Sequence, residues 1–104
     1  MNWSLLSIDE KVECALLIRE GQLGRKHGHA RAKFDEQGVV DTLAHYVKTG
    51  LRRPGLLAMA KAGELAHCFE QIVIEHAALF DPEVVARANG NLVRARAQLA
   101  SPAV

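Results

Sequence analysis

Four side chains able to bind a metal or move a proton, Glu64, His67, Cys68 and His76, crowd into "GELAHCFEQIVIEH", residues 63 to 76. A zinc site needs three or four such donors converging on one point, and an activated thiol needs a histidine within hydrogen-bond reach. Both depend on the element that carries them. The apolar spacing predicts a single helix from about Leu56 to Phe80, on which successive side chains turn by about 100°. Leu65, Cys68, Phe69, Ile72, Val73 and His76 then share one arc with Leu79 and Phe80, and Glu64, His67, Glu70, Gln71 and Glu75 take the opposite one. On such a helix the donors diverge. His76 reads as a core-edge histidine whose burial lowers its pKa. Cys68 reads as structural, since a neighbour in sequence points away from it.

Only Glu64 and His67 share a face. The Glu-x-x-His spacing is the one that di-iron helical bundles use, where carboxylates from other helices complete the site. The chain holds one copy, so a metal-dependent bundle enzyme or metal store is the least favoured reading, and no metal or cofactor is expected. His27-Gly-His29 has no Cys or carboxylate at ligand spacing, and "GQLGRKHG" lacks the Gly-x-x-x-x-Gly-Lys pattern of a phosphate loop. The two cysteines, Cys14 and Cys68, form no Cys-x-x-Cys motif and read as reduced thiols of a cytoplasmic protein. No aligned nucleophile and base can be read, so an enzyme is not expected.

The elements that position these residues read as all-α, a small bundle of about four helices in one domain, 1–104, with residues 1–6 and 101–104 as loose ends. Ser7 with Glu10 three residues later is a capping box, so helix 1 begins at Ile8. Its stripe of Ile8, Val12, Ala15, Leu16 and Leu23 faces a core, while Cys14, Leu17 and Ile18 lie on another side. Helix 1 therefore sits centrally or gives one face to another subunit. The glycine-rich stretch from Gly21 to Phe34 reads as a frayed end or a loop with short turns. Asp35 then caps a helix whose Val39, Val40, Leu43, Tyr46 and Val47 form one apolar face, ended by Gly50. "GLRRPG" is a connector, because Pro54 disfavours helical geometry before it. Asp81-Pro82 starts the last helix, with Val84, Val85, Ala88, Leu92, Ala95 and Leu99 on its inner face.

Thirteen Lys and Arg stand against twelve Asp and Glu, so no global field draws the chain to nucleic acid or membrane. The charge is nevertheless segregated. Residues 25–53 hold seven basic side chains against three acidic, a balance of +4, and residues 54–86 hold one against five, or −4. Arg25, Lys26, Arg31, Lys33, Arg52 and Arg53 are the candidates for contact with an anion or nucleic acid. A helix-turn-helix is not favoured, because Glu64, Glu70 and Glu75 would face phosphates; the last helix, with Arg87, Asn89, Asn91, Arg94 and Arg96, is the better reader of DNA. Ala60, Gly63, His67, Ile74 and Ala78 lie near one line of the 56–80 helix, where small residues allow close helix approach. With Cys14, Leu17 and Ile18 they form the expected interface with a second copy or a partner. The sequence thus points to a non-enzymatic regulator, adaptor or antiactivator that works as a homodimer by binding protein. A DNA-binding regulator is the alternative, and no membrane role is expected.

Overall fold

The computed structural model describes residues 2–24, 26, 28–49 and 54–100. These form six α-helices and no strand: α1 (Ile8–Leu23), α2 (Gly28–Gln37), α3 (Val39–Thr49), α4 (Pro54–Lys61), α5 (Phe69–Glu75) and α6 (Pro82–Ala100). The all-α class stands; the arrangement differs from four helices at two places. Residues 28–37, expected as a loop, are the helix α2, so Asp35 lies inside it and the residue that precedes α3 is Gly38. Tertiary contacts override the weak local propensity: Phe34 is buried against the core, and Arg31 ties α2 back to α1.

The second difference is larger. The helix expected over 56–80 is broken into α4, a 3-10 turn at Leu65–His67, α5 and another 3-10 turn at Ala77–Leu79. Gly63 causes the first break. Its φ of 75° lies in the left-handed region. Its amide donates to the Ala60 carbonyl at 3.1 Å, and the Glu64 amide donates to Met59 at 2.8 Å. This pair of bonds is the Schellman closure of a helix C-terminus, for which glycine is the favoured residue.

Local signals elsewhere act as read. The Glu10 amide donates to Ser7 Oγ at 3.2 Å and the Ser7 amide to Glu10 Oε1 at 3.0 Å, closing the capping box that starts α1. Helix α3 buries Leu43, Tyr46 and Val47, and it begins only after Gly38 turns the chain at φ 85°. In α6, Val84, Ala88, Leu92 and Ala95 are buried, but Leu99 is 45% exposed and leaves the core.

Two apolar clusters result. The larger gathers Val12 and Leu16 of α1, Leu43 and Val47 of α3, and Ile72 and Val73 of α5 around the ring trio Phe34, Tyr46 and Phe69, whose centroids lie 5.5 to 5.9 Å apart. The smaller joins Leu56, Met59 and Ala60 of α4 to Cys68, Leu92 and Ala95. Ile18 and Ile74 pack against the smaller cluster, and Ile74 against both. The two apolar sides of α1 are thereby explained: Val12 and Leu16 face the larger cluster and Ile18 the smaller, while Leu17 is 56% exposed. Among the described residues no helix is long and apolar enough to cross a membrane.

Candidate functional site

The break at Gly63 resets the phase of everything that follows it, so the arcs expected over 56–80 do not hold. Glu70, expected toward water, is 2% exposed. Its Oε2 accepts from Asn91 Nδ2 at 3.1 Å, and the same amide group donates to the Val47 carbonyl at 2.7 Å, linking α5, α6 and α3. Glu70 Oε1 has no hydrogen-bond partner among the described residues. Burial pushes this carboxyl above the usual carboxylate range, against the pull of Asn91 and of Arg19. Arg19 lies over the Phe69 ring at 4.1 Å. Cys68 donates to the Leu65 carbonyl at 3.1 Å, and burial, with the Glu70 charge adding to it, pushes its thiol up to about 12. A thiol so held is no nucleophile at neutral pH. Asn91, expected among the readers of DNA, is buried and belongs to this interior network.

The Glu64–His67 pair survives the break because the 3-10 turn keeps the two together: His67 Nδ1 lies 2.8 Å from Glu64 Oε2. The pair is not open to solvent on all sides. Trp3 stands edge-on to the His67 ring, with centroids 4.7 Å apart, and its Nε1 donates to Glu75 Oε1 at 2.8 Å. The buried Lys11 reaches the same carboxylate oxygen at 3.2 Å. Residues 3–5, expected as a loose end, form a 3-10 turn held by these contacts. Among the described residues no three of His, Cys, Asp and Glu come together as metal ligands would. His76 ends α5 with a buried Nε2 that has no hydrogen-bond partner among the described residues, and burial, followed by the Lys11 charge, lowers its pKa despite Glu75.

The expected interface residues are dispersed. Ala60 is in the smaller core cluster, Ile18 and Ile74 pack onto the cores, Gly63 turns the chain and His67 is occupied by Glu64 and Trp3. Leu17 and Ala78 are exposed and Cys14 is half-buried. The basic candidates fare similarly. Arg31 donates two bonds to Glu20, at 2.9 and 2.7 Å, and one to Glu13 at 2.7 Å; these carboxylates hold its guanidinium charged and engaged. Lys33 sits over the Tyr46 ring at 5.8 Å, and Lys26 is exposed. Arg25, Arg52, Arg53 and His27, with the connector at 50–53 and the tail at 101–104, lie outside the described residues.

A surface that the sequence reading missed lies on α6. Ala86, Gly90, Val93 and Ala97 fall within an arc of about 60°, diametrically opposite the buried Val84, Ala88, Leu92 and Ala95. Val93 is 64% exposed, Ala86 and Ala97 are exposed and Gly90 is half-buried. Arg87 and Arg94 line a shallow groove of ≈ 400 Å³ beside this stripe, with Glu83 at its end. The signal was present in the three-and-four spacing but was overshadowed by the stronger inner stripe of the same helix. A second groove, of ≈ 460 Å³, opens between α1 and α2. Compared with protein families, curated proteins and solved structures, the chain matches none.

Proposed function

We propose that this protein is a small non-enzymatic regulator or adaptor that works by pairing helices with another protein molecule, a second copy of itself first. The observation that carries this reading is the outer stripe of α6, a helix that offers apolar residues on two opposite sides and has a core on only one. Alanine and glycine beside Val93 let a second helix approach closely, and Arg87 and Arg94 supply a polar flank that fixes its register. The dispersal of the would-be catalytic groups into structural bonds supports the same reading. The test uses the intact protein as bait in an extract of the cell that makes it. Wild type should retain a defined partner that Val93→Asp does not; equal retention by both baits would show that α6 is not the contact.

A second reading draws on Arg87 and Arg94, which share one groove and make no ion pair among the described residues. It is a nucleic-acid contact by α6, with Arg96 adding to its charge. Such binding weakens steeply with added salt, and a complex with duplex DNA that is lost in Arg87→Ala and Arg94→Ala while Val93→Asp retains it would favour this reading over helix pairing.

A further inference from the structure

Trp3 ties the N-terminal turn to the body of the fold. The backbone bonds and the Asn2 side-chain bonds that shape residues 2–6 are made within that segment, and Leu5 is 82% exposed. Trp3 reaches outward instead: its Nε1 donates to Glu75 Oε1 at 2.8 Å, and its ring stands against His67, which is itself bonded to Glu64.

The carboxylate that Trp3 finds is shared. Glu75 Oε1 also accepts from Lys11 Nζ at 3.2 Å, and that ammonium lies 5.6 Å from the centre of the Trp3 ring. Lys11 is 4% exposed, and Glu75 is its ion-pair partner. A lysine so buried depends on its counter-charge, because an uncompensated buried charge is strongly destabilising. The Trp3 ring covers one side of this pair.

His76 follows Glu75 in the chain, with its Nε2 buried and without a hydrogen-bond partner among the described residues. The charges acting on it are Lys11 of α1 and Glu75 of its own helix; burial and then Lys11 disfavour its charged form. A neutral His76 leaves Glu75 to Lys11 and Trp3. A protonated one sets a second cation beside Lys11 and competes for the same carboxylate, a repulsion that water screens once Trp3 is lifted.

We propose that residues 2–6 are an acid-sensitive strap: Trp3 closes over the Lys11–Glu75 pair while His76 is neutral, and lifts away when His76 takes a proton, exposing the indole and Lys11 while the helices stay folded. Lifting returns His76 toward its ordinary value of 6.5, so the strap is closed above that value and opens as pH falls through it to the lower closed-state one. The device uses no residue of α6 and is independent of pairing through that helix.

Trp3 is the only tryptophan of the chain, so its fluorescence reports the strap directly. Acrylamide quenching should be weak at about pH 8 and rise severalfold by about pH 5, the span in which histidine titrates, with a red-shifted emission and unchanged far-UV circular dichroism. His76→Leu and His76→Gln should stay weakly quenched throughout. Glu75→Ala should be strongly quenched already at the upper pH. His67→Gln should keep the rise, because a protonated His67 beside the indole would change its brightness and not its access to acrylamide. A flat wild-type profile, a rise that persists in both His76 variants, a protected Trp3 in Glu75→Ala, loss of the rise in His67→Gln, or quenching that only accompanies loss of helix would overturn the proposal.

Discussion

Two glycines in this chain should respond to the same substitution with opposite signs. Gly63 has φ 75° and Gly90 sits within α6, and a Cβ added at either would meet no atom within 4 Å. Crowding within the chain is therefore absent at both, and only the backbone differs. At Gly63 an alanine must adopt the left-handed conformation, at a cost of about 1–2 kcal/mol. At Gly90 an alanine gains about 0.5–1 kcal/mol, because glycine gives up more chain entropy in a helix interior. For a domain of this size 1 kcal/mol moves the melting temperature by about 4–8 °C. Thermal and urea unfolding at protein concentrations too low for α6 pairing, followed by far-UV circular dichroism, should find Gly63→Ala less stable than wild type and Gly90→Ala more stable. Gly63→Asn should lose less than Gly63→Ala, since asparagine tolerates the left-handed region better. If Gly63→Ala stabilised the protein as Gly90→Ala does, α4 would run on through Gly63 as a regular helix, and the reassignment of every residue from Glu64 to Phe80 would fail.

Three further outcomes follow from the interior groups. Ionising Glu70 opposes the fold because burial raises its pKa, so its contribution worsens as pH rises from the unfolded value of 4.5 through the folded one; Glu70→Gln should gain about 1 kcal/mol at neutral pH in urea unfolding, with little gain in acid. His76 has the opposite linkage: its lowered pKa makes its contribution full above the unfolded value of 6.5 and progressively lost as pH falls through that value to the folded one, so His76→Leu should fold and should lessen the loss of stability over that window. Cys68 is fully buried with its thiol pushed up to about 12, whereas Cys14 is half-exposed; mass spectrometry after iodoacetamide treatment should find Cys14 alkylated in the folded protein and Cys68 only after denaturation.

The parts of the fold that were legible in the sequence are those set by neighbours in the chain. Ser7 and Glu10 close a capping box within one turn, and Leu43, Tyr46 and Val47 repeat at helical spacing. The break at Gly63 was the decisive omission. A glycine within a long apolar pattern reads as tolerated, yet Gly63 follows Lys61 and Ala62 as a C-terminal stop, and its left-handed φ turns the chain before Glu64. Once that turn is missed, a wheel drawn through it sends Glu70 to water, when it is buried. Helix α2 and the Trp3 turn were illegible for another reason. Arg31 finds Glu20 from eleven residues away and Trp3 finds Glu75 from seventy-two, and no local pattern encodes such contacts. The Glu64–His67 pair was read correctly as a pair, but its neighbour Trp3 was not foreseen.

The proposed pairing of α6 through its outer face is tested most directly by the mass of the protein in solution. Light scattering coupled to gel filtration should give twice 11.4 kDa for wild type at high micromolar concentration, and the mass of one chain for Val93→Asp with its circular dichroism unchanged. A single-chain mass for wild type throughout, or a Val93→Asp protein that stays at the dimer mass, would contradict it.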